Sequence, residues 1–284
     1  MKKTPLVSII INCLNGEKYL DKALNSVFNQ IYTNWEIIFF DNNSTDKSYS
    51  ILKKYKDKRI KYFKSKKIYK LYKARNLAVK KCKGKMVTFL DVDDWWAKNK
   101  LKKQVDFFLK YQTTEILYSN VYVYSEKKKK SQIFIKKKLN SGKLTQKLLD
   151  KFEMPILSVM IKKDIFNQIK FDDRYTIIGD FDFFIRLSLI KKIAVIQEPL
   201  AYYRYHDSNL TTKRTDLNIQ ELENWLAKKA KNKKLKSYNF LQIYRLIELL
   251  KLKKNFHKGN NLKVFFSILK KPFLIFDYLR IKLV

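Results

Sequence analysis

The sequence predicts an α/β protein, a mixed and mostly parallel sheet flanked by helices, with a helical extension at the C-terminal end. Three observations carry that expectation. Short β-branched or aromatic runs (LVSIII, WEIIFF, KMVTFL) recur with room for a helix between them. An intervening segment has apolar residues at helical spacing: Leu20, Ala23, Leu24, Val27 and Phe28. Each run also ends in a polar loop, NCLN, DNNSTD or DVDD. Alternating strands and helices build parallel βαβ units, whose ligands bind at the carboxyl ends of the strands, so the three loops should share one edge.

Taken in order, LVSIII reads as a buried strand leaving into NCLNG, and KYLDKALNSVFNQ as the helix after it. WEIIFF is a second strand closed by DNNSTD, where Ser44 or Thr45 would cap a helix through Ser48, Ile51 and Leu52. RIKYF is a third strand, ARNLAVKKC a helix, and KMVTFL a fourth strand running into acids. EILYSNVYVYS and AVIQEPLAYYRYH supply later strands, and KKKKSQIFIKKK a charged, exposed hairpin or loop. From Asp216 the pattern is helical, around Leu217, Glu221 and Trp225 and then from Phe240 to Leu252. The expected division is 1–105 and 106–215 as two halves of one domain, and 216–284 as the helical extension.

Across 284 residues the hydrophobic fraction is 46%, which supports a packed core and excludes disorder by composition. The net charge of +36 would suit a polyanionic partner. However, the lysines are scattered along the chain, and glycine and proline number only 5 and 4. An AT-rich coding sequence explains that bias more simply, although a weak attraction to an anionic membrane surface follows from the charge either way. Cys13 and Cys82 lie far apart without CxxC spacing, which argues against a disulfide framework or a zinc site. The first apolar run, Leu6 to Ile11, is too short for a signal peptide core or a membrane span. The expected location is cytoplasmic, with peripheral attachment at the inner face of the cytoplasmic membrane as an extension of that reading.

FLDVDDWW (residues 89–96) sets a problem of charge: carboxylates this close repel unless something positive sits among them. A solvated turn, a helix N-cap and a divalent metal held by Asp91 and Asp93 are the three answers.

The motifs around these acids resemble inverting family 2 glycosyltransferases of the GT-A fold, over residues 5 to 215. That family's opening strand, polar loop and N-G-E-x-Y-L pattern is matched by VSIIINCLNGEKYL. Its D-D-G-S-T-D turn stands here as Asp41, Asn42, Asn43, Ser44, Thr45 and Asp46, and its A-R-N as Ala74, Arg75 and Asn76. D-x-D-D-x-W followed by K-L-x-x-Q is matched by Asp91, Asp93, Asp94, Trp96, Lys100, Leu101 and Gln104. The family's E-D-x-D and R-L fall on GDFDFFIRL, and Y-R-x-H-x-x-N on YYRYHDSN. Four positions depart from the pattern. Asn12 stands for a frequent Pro, Asn42 for Asp and Gly179 for Glu, and the glycine before A-R-N is missing.

The resemblance implies a nucleotide-sugar donor, a UDP-sugar first, and a hydroxyl of a glycan or lipid-linked glycan as acceptor. It implies a divalent cofactor, Mn2+ or Mg2+, held by Asp91, Asp93 and His206. Asn12, Asn15, Asp41, Arg75 and Asp91 would contact the donor, with Asp41 at the base and Arg75 at the phosphates. Asp180 falls on the catalytic base, which takes the acceptor proton during attack on C1. Trp96 and Asp182 would lie on the acceptor side, although core packing for Trp96 and an i,i+4 salt bridge from Asp182 to Arg186 are the structural readings. Asp94 would cap a helix starting near Trp95. The basic aromatic end, Phe273 to Val284, would touch membrane or dock on its own domain.

Three rivals were weighed. A sugar nucleotidyltransferase needs a glycine-rich triphosphate loop, and NCLNGEK has one glycine. A nucleic-acid-binding protein would cluster its positive charge and would not put carboxylates in the binding edge. A catalytically inactive relative that keeps only nucleotide binding is the reading that Gly179 and Asn42 support.

Overall fold

The computed structural model describes residues 4–229, 232–257, 259, 260, 264, 267, 269 and 271. The segment Phe273 to Val284 lies outside the described residues.

The strands are β1 (Val7–Cys13), β2 (Trp35–Asp41), β3 (Ile60–Lys64), β4 (Met86–Phe89), β5 (Trp95–Trp96), β6 (Ile116–Ser125), β7 (Lys130–Ile133), β8 (Met160–Lys162) and β9 (Ala194–Tyr205). Among the described residues they form one sheet in the order β3-β2-β1-β4-β8-β6-β9-β5, with β7 paired to β6. The first four strands are mutually parallel, β8 runs antiparallel between β4 and β6, and β6 and β9 are parallel. The parallel strands β3-β2-β1-β4 are what the alternating pattern predicted, and the antiparallel β8 makes the sheet mixed, as the resemblance implied. The hairpin expected at KKKKSQIFIKKK is β6–β7, and every residue of β7 is exposed.

The helices are α1 (Leu20–Phe28), α2 (Ser48–Lys53), α3 (Leu71–Val79), α4 (Lys100–Lys110), α5 (Thr145–Asp150), α6 (Ile165–Gln168), α7 (Gly179–Ser188), α8 (Leu210–Lys213), α9 (Thr215–Lys229) and α10 (Leu241–His257). Leu20, Ala23, Leu24 and Val27 of α1 are fully buried, on the stripe their spacing defined. β1 and β2 are buried almost along their whole length because helices cover both faces of a parallel sheet. Burying each such Ile, Val, Leu or Phe contributes about 1.5–3 kcal/mol, and this fixes the strand register that aligns the loops.

Two local expectations fail. The side chains of Ser44 and Thr45 do not cap α2. Its cap position is Lys47, while Asp46 Oδ1 accepts from the Ser48 N–H at 3.0 Å. No helix starts at Trp95 either: Trp95 and Trp96 pair antiparallel with Tyr202 and Ala201 as β5, and the helix begins five residues later.

The chain divides into two compact units, one of residues 1–144 with 153–206, the other of 145–152 with 207–284. In the second, α9 and α10 pack together around Trp225, whose ring is fully buried and meets Phe240 edge-on at 6.1 Å. Among the described residues no helix is long and apolar enough to cross a membrane.

Candidate active site

The register of the parallel strands sets Cys13 beside Asp41 and Ile10 beside Phe89. The loops leaving β1, β2 and β4 therefore emerge at one sheet edge, as the pattern required.

The first two loops lock into each other. Asn15 adopts a left-handed backbone (φ 54), which its short amide side chain tolerates. Its N–H donates to Ser44 Oγ at 3.0 Å, and its Oδ1 accepts from the Thr45 N–H at 2.9 Å. The Gly16 N–H donates to Ser48 Oγ, the Glu17 N–H to Asp46 Oδ2, and the Lys47 N–H to Glu17 Oε2. Gly16 sits at a close approach: a Cβ there would lie 3.0 Å from Val92 Cγ2 and 3.1 Å from Cys13 Sγ. The NGE and DNNSTD motifs thus form one hydrogen-bonded rim pressed against the DVDD loop. Asn15 is part of that rim's architecture.

Asp41 is buried at the floor of the rim, where Oδ1 accepts from the Ser44 N–H at 2.7 Å and Oδ2 from the Tyr62 hydroxyl at 2.8 Å. Asn42 explains one departure from the family pattern. Its amide donates to the Tyr69 carbonyl at 2.8 Å and accepts from the Tyr69 N–H at 2.9 Å, pinning the glycine-free segment before α3. An aspartate could not donate to that carbonyl. Asn42→Asp is expected to cost about 1–3 kcal/mol of folding stability through the broken pair, measured by urea unfolding. Unchanged stability would remove this role for Asn42. Beside it, Asn12 Nδ2 is buried without a hydrogen-bond partner among the described residues. An orphaned buried donor costs free energy unless a bound group satisfies it.

Arg75 joins the second half of the site. Although on a helix, it is 1% exposed, and so is not a surface arginine. Its Nη1 bonds Asp180 Oδ1, and its Nη2 bonds Asp91 Oδ1 and Oδ2 at 2.8 and 3.1 Å. Burial would lower its pKa, but the Asp180 and Asp91 carboxylates outweigh that and hold the guanidinium firmly charged. Asp180 lies in the first turn of α7, one residue inside the helix rather than at its cap. Burial raises the Asp180 carboxyl above the ordinary range, Arg75 pulls it down, and Asp91 raises it. Arg75 therefore faces two carboxylates.

Asp93 has a different partner: its Oδ2 lies 3.0 Å from His206 Nε2. Burial raises the Asp93 carboxyl, Asp91 adds to that, and the His206 bond opposes it. The three ligands expected for a metal are not gathered. Among the described residues no group of three or more His, Cys, Asp and Glu side chains is placed to hold an ion. Asp91 is turned to Arg75, while Asp93 and His206 form a two-membered pair. The reason is electrostatic: a buried guanidinium attracts the nearest carboxylate. The donor set itself, carboxylate oxygen with imidazole nitrogen, suits a hard to borderline divalent ion such as Mn2+.

Three further expectations are corrected. Asp94 does not cap a helix but is buried beneath the loop, where Oδ1 accepts from the Arg204 N–H at 2.8 Å. Burial, with Asp93 and Asp91 nearby, drives its carboxyl well above the usual range. Trp96 does not line an acceptor surface. It is 4% exposed, donates to the Leu157 carbonyl at 3.2 Å and packs 4.2 Å from Lys100 Nζ. Asp182 does not face an acceptor either, being fully buried with Arg186 Nε bonded to Oδ2 at 2.7 Å. The i,i+4 salt bridge is its observed role.

Sequence reasoning missed Arg204 and Tyr19. The Arg204 Nε donates to the Asp93 carbonyl at 2.7 Å, and its guanidinium covers the Tyr19 ring at 4.5 Å. The Tyr19 ring also lies 5.0 Å from that of His206, and its hydroxyl donates to Glu126. Both residues lie inside the motifs NGEKYL and YYRYH, the one signal that could have found them.

A sequence profile described as Glycosyl transferase family 2 matches residues 8–176, which hold both loops, Arg75 and the DVDD acids. An uncharacterized glycosyltransferase of Haemophilus influenzae is 44% identical over 107 residues, 37% of this chain and 43% of that one. The chain thus spans less than half of that relative. The UDP-Glc:alpha-D-GlcNAc-diphosphoundecaprenol beta-1,3-glucosyltransferase WfgD of Escherichia coli is 29% identical over 187 residues, 66% of this chain and 70% of WfgD. Among solved structures, a mannosyltransferase from Pyrobaculum calidifontis in complex with GDP-Man and Mn2+ superposes with a TM-score of 0.63. It covers 95% of this chain and 82% of its own at 14% identity, and so shows the fold, GT-A. With its profile match spanning more than half the sequence and laid over the interlocked loops and their acids, the chain belongs to glycosyl transferase family 2.

Proposed function

We propose that the protein is a metal-dependent inverting glycosyltransferase that moves a sugar from a UDP-sugar to a hydroxyl of a lipid-linked glycan. One observation carries the reading: a buried arginine draws Asp91 and Asp180, far apart in sequence, into a single charged cluster at the loop edge. A structural salt bridge needs one carboxylate; two around one guanidinium, both partly exposed (34% and 20% of the side chain), leave acceptor capacity facing outward.

Asp180 takes the acceptor proton as the hydroxyl oxygen bonds to C1 of the donor sugar. The bond from C1 to the diphosphate breaks, and the nucleoside diphosphate leaves with the electron pair. Attack opposite the leaving group inverts the anomeric carbon. Burial helps here, because a carboxyl raised above its usual range is a stronger base, while Arg75 beside it favours the charged form. The orphaned Asn12 amide and the buried Asp41 support nucleotide binding at the rim. Asp93 and His206 would hold the divalent ion, which would supply charge to offset the leaving diphosphate. WfgD, named for a UDP-Glc donor and a diphosphoundecaprenol-linked acceptor, and the Mn2+ complex of the mannosyltransferase support the donor, acceptor and metal classes. An acceptor of that kind would place the enzyme at the inner surface of the cytoplasmic membrane.

Calorimetric titration of UDP tests the core of this. Binding is expected to need Mn2+ and to weaken at least about tenfold in Asp93→Ala, the loss of one charged ligand. Equal affinity with and without the metal, or no binding of UDP at all, would sink the metal-dependent reading.

A further inference from the structure

Gly179 stands where the family motif has glutamate, and the packing around it accounts for the exchange. A Cβ built on Gly179 would overlap the Tyr72 ring, 2.6 Å from Cγ and closer still to Cδ2 and Cε2. The ring cannot yield. Tyr72 is 1% exposed, stacks on Phe171 at 5.7 Å, and lies 5.3 Å from the Arg75 guanidinium. Its hydroxyl donates to the Ile177 carbonyl at 2.9 Å, in the segment that leads directly into α7. The cap position of α7, Ile178, offers no polar side chain.

We propose that Tyr72 is the positioning residue for Asp180. Its ring occupies the space a side chain at 179 would take, and its hydroxyl ties down Ile177, two residues before α7 begins, from more than 100 residues away in sequence. Tyr72 thereby holds Asp180 against Arg75 in the alignment that proton abstraction needs. The inference rests on the reading of Asp180 as the base. It also reverses the meaning of Gly179: the residue is the complement of Tyr72, not a sign of lost activity.

The test uses the full chain with UDP-glucose and GDP-mannose, following release of the nucleoside diphosphate to water as the acceptor. Tyr72→Phe keeps the ring and removes only the hydroxyl. It is expected to lower kcat about tenfold, the effect of one lost hydrogen bond, with KM for the donor within about twofold. Gly179→Glu is expected to lose at least about a hundredfold in kcat through the clash. Tyr72→Ser combined with Gly179→Glu should recover about tenfold of that, because the space is restored. Melting curves on each variant separate misfolding from misplacement. Turnover by the wild type with unchanged kcat in Tyr72→Phe, or a double variant no better than Gly179→Glu, would overturn the inference alone. No release from either donor by the wild type would overturn the functional reading and the inference with it.

Discussion

Asp180→Asn is expected to lower kcat/KM for sugar transfer about 10²–10⁴-fold, the usual contribution of a general base. The change is nearly isosteric, and an amide oxygen still accepts the Arg75 hydrogen bond, so α7 and its fully buried face of Phe183, Phe184, Ile185 and Leu187 should stay in place. What is lost is the negative charge that receives the acceptor proton. UDP affinity should therefore remain within a few-fold of wild type while turnover collapses. Transfer assays with matched calorimetry read both quantities. A variant that keeps full turnover would assign proton abstraction elsewhere. One that loses UDP binding in parallel would make Asp180 a donor-binding group.

The second large effect is expected at Arg75. Arg75→Met keeps most of the volume but removes the charge between Asp91 and Asp180, and deleting one partner of a buried charge cluster costs about 3–5 kcal/mol. Both carboxylates retain some solvent contact, so the lower end of that range applies. Urea denaturation measures it. The same change has a signed pH consequence. Burial raises the Asp180 carboxyl, and Arg75 is the main influence pulling it down. Without Arg75 the carboxyl rises further, less of it is ionised at a given pH, and the acid limb of the kcat/KM profile moves to higher pH. A profile that stays fixed, or moves toward acid, would show that Asp180 is not the group being titrated.

Asp91 links these two expectations to the proposed metal. It is held by Arg75 at 2.8 and 3.1 Å, while Asp93 is held by His206 at 3.0 Å. The two acids of one short motif thus serve different partners. The repulsion posed by FLDVDDWW is resolved by three separate positive or donor groups: Arg75 for Asp91, His206 for Asp93 and the Arg204 backbone N–H for Asp94.

The sequence by itself determined the sheet core and its working edge. Strand runs and helix stripes are local periodicities, and burial follows them directly, as in β1, β2 and α1. Contiguous motifs also named nearly every residue now found at the edge: Asp41, Arg75, Asp91, Asp93, Asp180 and His206. Tertiary structure alone decided what those side chains do. Tyr62 takes Asp41, Arg75 spans to Asp180 across 105 positions, and Arg204 reaches Asp93 and Asp94 across 111 and 110. It also sent Trp96 and Asp182 into the core and turned a pair of tryptophans into an edge strand. Periodicity encodes which face of an element is buried, but a polar side chain's partner is chosen by geometry between distant segments. Tyr72 and Gly179 show it most plainly: Gly179 is a departure from the pattern when read alone, and only the fold sets the Tyr72 ring in the space it leaves.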